Sequence, residues 1–240
     1  MMRALWTAST GMMAQQLNVD TIANNMANVN SVSYKKARVE FKDLLYETLE
    51  RGIVRDGQGK PVNLQVGHGV MPAASVKFFT TGSLTSTENP YDLAIDGQGF
   101  FKVLGPEGQE YYTKDGAFKI SPDGENYNLV TSEGYYVQGE DGNIELGSEV
   151  KDIIIDPSGV ITVKREDDTI EELGSLSIST FINPAGLESV GKNLYEVTVA
   201  SGEAFETQSD GTGGSILQGY LEYSNVQIVE EMVNLIQAQR

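Results

Sequence analysis

The chain has 240 residues, a formal net charge of −17, 40% hydrophobic residues and no cysteine. Its length fits one large domain or two to three small ones, and its apolar content excludes a disordered chain. The acidic balance argues against nucleic-acid backbone binding as the main function. The absence of cysteine removes disulfides, thiolate metal sites and cysteine nucleophiles together.

The charge is unevenly spread. Residues 1–51 hold six Lys/Arg and five Asp/Glu, a balance of +1 that leaves −18 to the rest of the chain. The opening MMRALWTASTGMMA faintly suggests a signal peptide. However, Thr7, Ser9, Thr10 and Gly11 interrupt its apolar run and the helical pattern continues past Gln15, so it reads as part of the mature chain. No apolar run reaches membrane-spanning length, and no direct membrane insertion is expected.

A heptad runs from Leu5 through Met12, Val19 and Met26, with Ala8, Gln15, Ile22 and Val29 three positions further on. This seam fits a single amphipathic helix on a globular core and a coiled-coil strand equally well. Asn24, Asn25, Asn28 and Asn30 mostly lie off it, although each Asn costs a helix roughly half a kcal/mol against Ala. After Asn30 the helical signal fades. Residues 41–49 fit either a short helix or an extended segment, and RDGQGKPVNLQVGHGV reads as a loop or hairpin.

From about Met71 to Ala200, short runs rich in Val, Ile, Tyr, Phe and Thr alternate with Asp-Gly dipeptides at 96–97, 115–116, 123–124 and 141–142. Asp-Gly favours type I′ hairpin turns, in which both central residues take positive φ. Expected strands cover 92–95, 100–104, 117–120, 152–155, 160–163, 176–181 and 194–199, followed by a Gly/Ser/Thr-rich loop over 201–215. Ser224 with Gln227 predicts a capping box. Val226, Val229, Val233 and Ile236 then repeat at helical spacing, flanked by Ile228, Met232 and Leu235. A helix of about fifteen residues is marginal alone, and the other terminal helix is the obvious partner.

The expected fold class is therefore α+β, mainly β, with N- and C-terminal helices pairing as a coiled coil and a central antiparallel β domain. The expected divisions are an N-terminal coiled-coil helix over 1–33, a connecting segment with an extended or hairpin region over 34–70, a β-rich outer domain over 71–215, a return connector over 216–223 and a C-terminal coiled-coil helix over 224–240.

A search for chemistry yields little. His68 is the only histidine and sits in a turn-like VGHGV. Gly97-Gln98-Gly99 lacks the third glycine of a dinucleotide fingerprint. Glu171/Glu172 and Glu230/Glu231 are pairings that 34 acidic residues produce by chance. Asp156-Pro157-Ser158-Gly159 lacks the downstream ligands of a calcium loop. Of the neighbouring aromatics Phe100/Phe101, Tyr111/Tyr112 and Tyr135/Tyr136, one of each pair is expected to pack inward and one to face out. No catalytic, cofactor or metal site follows. The residues alone leave open a secreted β-rich glycan-binding or hydrolytic protein with helical extensions.

LWTASTGMMAQQLNVDTIANNMANVNSVSYKK resembles the N-terminal signature of the bacterial flagellar rod and hook family. Thr10-Gly11-Met12 (a turn in that pattern), Gln15-Gln16, Asp20, Ile22 to Asn30 and Tyr34-Lys35-Lys36 carry the resemblance. NPYDLAIDGQGFFKV, with Asp96, Gly97, Gly99 and Phe100, is similar to the family's internal motif. YYTKDGAFKISPDGENYNLVTSEGYYVQG is similar to the hairpin block that follows it, and LQGYLEYSNVQIVEEMVNLIQAQR to its C-terminal signature. The blocks span nearly the whole chain in the right order. LWTASTGM with AQQLN, and ARVEFKDLLYETLERG, favour one rod branch over the other and over the longer hook proteins.

The resemblance implies an axial structural protein, not an enzyme, without cofactors. It implies export by the flagellar type III apparatus without a cleaved signal. It further implies self-assembly into a helical homopolymer and contacts with other rod proteins, the hook and surrounding ring proteins. The assembly seam would comprise Leu5, Met12, Val19, Ile22, Met26, Val29, Val226, Val229, Val233 and Ile236. The family's C-terminal helix continues for several turns past the QAQR position, so the resemblance implies a shortened C-terminal helix here.

Overall fold

The computed structural model describes residues 2–50, 54–55, 58–59, 63–123, 126–140, 142–147, 150–165, 170–207 and 214–240. Among them are two α-helices, one near each end, and the rest is mainly antiparallel β. The chain divides into two compact units: Met1–Ala27, Ala37–Lys77 and Gln227–Arg240 form one, and Asn28–Lys36 with Phe78–Val226 form the other. Residues 28–33 thus belong with the β-rich unit, and residues 71–77 with the helical one.

In the helical unit, α1 (Met2–Ala27) runs unbroken through Gly11, so Thr10-Gly11-Met12 makes no turn. It packs on the antiparallel pair Ala37–Asp43 and Val70–Lys77, and on α2 (Ile228–Gln239). Residues 41–49, open between helix and extended chain, are extended: the strand Tyr46–Glu50 pairs with Leu64–Gly67. Gly69, at φ +116°, lets the chain pass close to α1, where an added Cβ would lie 2.2 Å from Thr10 Oγ1. α2 begins at Ile228, not at Ser224, and the expected capping box does not form. The Ser224 hydroxyl instead accepts the Val226 N–H at 3.2 Å. This local bond competes with helical geometry and delays the helix start. Val226 is therefore buried in the β-rich unit and lies outside α2.

The hub of the β-rich unit is the strand Phe100–Leu104, which pairs with Glu110–Thr113, Tyr136–Gly139 and Ile178–Thr180. A three-stranded sheet joins Val150–Ile155, Val160–Arg165 and Ile170–Ser175. Phe101 packs into the main core with Leu93, Ile95, Val103, Ile161 and Ile178. Its neighbour Phe100 faces the opposite side, as strand alternation requires. That side is covered too: Phe100, Tyr112, Phe181 and Tyr195 form a second cluster, with Phe100 and Phe181 edge-to-face at 5.4 Å. The expectation that one ring of the Phe100/Phe101 pair faces out fails because both faces of this strand are buried.

Asp96 and Asp115 do not take the positive φ that type I′ turns require. Such a turn forms instead at Lys192-Asn193 (φ 54° and 60°), between the strands Glu188–Gly191 and Leu194–Glu196. The expected turns at 123–124 and 141–142, and positions 208–213 of the 201–215 loop, include residues outside the described set.

Candidate assembly surfaces

The two helices turn unexpected faces to their own unit. On α1, Ala14, Ile22 and Asn25 are buried, and Asn18, Val19, Thr21 and Met26 are half-buried. The spacing 14, 18, 21, 25 defines one helical face of small and amide or hydroxyl residues. Leu5 and Met12 of the predicted seam are 70% and 68% exposed, and Met2, Trp6 and Met13 are exposed beside them. On α2, Glu231 is buried and Asn234, Leu235 and Ala238 are half-buried, whereas Ile228, Val229, Met232, Val233 and Ile236 are exposed, Val229 to 76%. The seam residues thus fall into an inward group (Val19, Ile22, Met26) and an outward one (Leu5, Met12, Val229, Val233, Ile236). Val29 is half-buried beyond the end of α1.

Two apolar grooves flank α1. One, of 750 Å³, is lined by Trp6, Ala8, Val66 and His68 among others. The other, of 460 Å³, is lined by Met13, Leu17, Leu44, Met71 and Pro72 among others.

Asn25, placed mostly off the seam by its heptad position, lies inside. Its Nδ2 donates to the Ala37 carbonyl at 2.8 Å and to Glu231 Oε2 at 3.2 Å. Its Oδ1 accepts the Ala37 N–H at 3.0 Å. One side chain therefore ties α1 to the start of a strand and to α2. Asn24 and Asn30 are exposed, and Asn28 Oδ1 accepts the Ser31 hydroxyl.

In the β-rich unit, the motif residues Gly97 and Phe100 touch a buried charge cluster that the sequence did not reveal. Lys35, fully buried, donates to Glu222 Oε1 at 2.5 Å and to the Thr80 carbonyl at 2.8 Å. Glu222 also accepts the Gly82 N–H at 2.7 Å. Lys114, also buried, lies 3.9 Å from Glu222 Oε2, donates to the Gly97 carbonyl at 3.1 Å and sits over the Phe100 ring. Burial lowers both lysines, Glu222 opposes the shift, and Lys114 falls to about 8. Gly97 takes φ +132°, which presents its carbonyl to Lys114, and Gly99 leads directly into Phe100. Asp96, the last residue of its strand, is exposed.

Asn225 holds the chain passages nearby. Its Oδ1 accepts the Lys36 N–H, and its Nδ2 donates to the carbonyls of Phe78 and Thr80. The acidic pairs noted in the sequence also have local partners: Glu171 accepts from Arg165 Nε at 2.8 Å, and Glu231 from Asn25.

The whole arrangement is that of a subunit with terminal helices displaying apolar surface, and comparison with known proteins agrees. Family models match at residues 5–35 (flagella basal body rod protein), 94–163 (flagellar hook protein FlgE/F/G D1 domain) and 217–240 (flagellar basal body rod FlgEFG protein C-terminal). The chain belongs to this flagellar hook and basal-body rod family. It is 47% identical to the flagellar basal-body rod protein FlgG of Borreliella burgdorferi, over 100% of this chain and 91% of that protein. The FlgG proteins of Caulobacter vibrioides and Bacillus subtilis are 41% and 34% identical, each over 100% of this chain and 91% of the relative.

Proposed function

We propose that the chain is a structural subunit of the flagellar distal rod, a self-assembled helical shaft that transmits torque from motor to hook. The observation that carries this reading is the outward apolar surface of α1 and α2. Large residues such as Leu5, Trp6, Met12 and Val229 are left to solvent in a single chain, and contiguous exposed apolar surface marks an interaction site. Neighbouring copies cover it, with the helices pairing as coiled coils in the inner wall and the grooves beside α1 receiving residues of adjacent subunits. A single heterologous contact repeated in this way builds an open filament.

Other rod proteins, the hook and surrounding rings adjoin the two ends and the outer surface, and the type III apparatus delivers the chain. Among the described residues, no helix is long and apolar enough to cross a membrane. The test is concentration-dependent assembly of the purified chain, followed by light scattering and electron microscopy. Tubular filaments that fail to form when Leu5 and Val229 are both changed to Asp are expected. A wild-type chain that stays monomeric at every concentration overturns the reading.

A further inference from the structure

A helix resting on a protein body normally turns its apolar stripe inward. α2 does the reverse: its inward stripe is Glu231, Asn234, Leu235 and Ala238, and its outward stripe is Ile228, Val229, Met232, Val233 and Ile236. The apolar residues do not dictate this setting. They occupy a broad arc, and rolling α2 about its axis would bury them against α1, which apolar burial favours.

What opposes the roll is polar. Glu231 and Asn25 are each 1% exposed, and Glu231 Oε2 accepts from Asn25 Nδ2 at 3.2 Å. Asn25 is itself fixed by two further bonds to the Ala37 backbone. Turning α2 would therefore pull a buried carboxylate away from a donor that cannot follow, and removing one partner of a buried charged contact is costly.

We infer that the Asn25–Glu231 contact is a rotational lock: it holds α2 with its apolar face outward and so keeps the single chain from burying its own assembly surface. A buried polar group that gives up stability to fix register has precedent in coiled coils. Asn25 and Glu231 act here as positioning residues. The functional consequence rests on the proposal that the outward stripe is assembly surface; the lock itself does not.

The chain has no cysteine, so Val229→Cys introduces a single thiol on the outward stripe. In that background, the thiol is expected to react with a soluble maleimide as an exposed group. Adding Glu231→Leu is expected to slow the reaction by about tenfold or more, as when access requires local opening. It should also raise the thermal midpoint and abolish filament formation. Adding Glu231→Gln, which keeps an acceptor for Asn25 Nδ2, should leave rate and assembly as they were. If Glu231→Leu leaves the thiol equally reactive, or makes it faster because α2 detaches, the lock is refuted. If the thiol is protected as expected but the parent chain never assembles, the lock stands and the assembly reading falls.

Discussion

Lys35 and Glu222 lie 187 positions apart and meet at 2.5 Å, with no more than 1% of either side chain exposed. Removing Glu222 leaves Lys35 and Lys114 as two buried cations sharing no anion. Glu222→Leu is therefore expected to cost roughly 3–5 kcal/mol in the β-rich unit. The double change Lys35→Met with Glu222→Leu should recover part of that loss. Urea unfolding followed by circular dichroism checks both, and a single-variant loss under about 1 kcal/mol would contradict the cluster's role as an anchor.

Lys114 makes the same cluster sensitive to alkaline pH. Burial is the largest cause of its fall from 10.5 to about 8; Glu222 opposes it and Lys35 adds to it. Between those values the unfolded chain binds more protons at this site than the folded one, so stability rises with pH there. Relative to Lys114→Met, the wild-type chain should gain up to about 3 kcal/mol between pH 7 and pH 10.5. Denaturant midpoints at several pH values provide the measurement. A flat or shrinking gap refutes the assignment.

Two glycines should respond in opposite directions to alanine. A Cβ at Gly116 would lie 1.6 Å from the Leu93 carbonyl oxygen, and backbone cannot yield as a side chain does. Gly116→Ala should cost about 3 kcal/mol or more. Gly11 lies inside α1 with open space beside it: a methyl added there would meet nothing within 4 Å. Gly11→Ala should therefore stabilise the helix by roughly 0.5–1 kcal/mol. Thermal melts of the two variants decide both points.

Val19 is half-buried on α1. Val19→Asp is expected to abolish assembly while the β content seen by circular dichroism is unchanged. Normal filaments from this variant would count against helix pairing as the basis of the wall.

The segment from Tyr46 to Val66 includes residues outside the described set, but its flanks form the antiparallel pair Tyr46–Glu50 and Leu64–Gly67, with Tyr46, Leu49 and Leu64 exposed. We expect this segment to bridge adjacent subunits and stiffen the shaft. Its deletion should yield filaments with greater curvature fluctuation in electron micrographs, and an unchanged bending stiffness rules the bridge out.

Local signals in the sequence were legible where local physics decides. The apolar run Phe100–Leu104 is a strand with the expected bounds, and the heptad from Leu5 lies on a helix as far as Met26, with Val29 beyond its end. Signals that depend on distant partners were not legible. Ser224 carries a capping pattern, yet its hydroxyl serves a local turn, so Val226 leaves the helical stripe. Asn25 is placed off the seam because heptad counting ranks positions by apolarity, and this contact face is polar. Lys35, Lys114 and Glu222 carry no distinguishing signal one by one. Only chain reversals that bring residues 35, 114 and 222 together turn three ordinary charges into a buried cluster. The Lys192-Asn193 turn carries a weak signal because neither of its two central residues is a glycine, although both take positive φ.

The strand Phe100–Leu104 is hydrogen-bonded to three other strands and wedged between an aromatic cluster on one side and the main core, where Phe101 meets Phe118 and aliphatic side chains, on the other. A sheet exposed on one face can shear or peel along that face. This one is placed as the middle ply of a laminate: a twisting load applied to either skin is expected to strain both skins at once, because Phe100 and Phe101 pack the same strand against each of them. In a rod subunit, such a laminate is expected to resist creep through packing alone, since the chain has no cysteine for a disulfide.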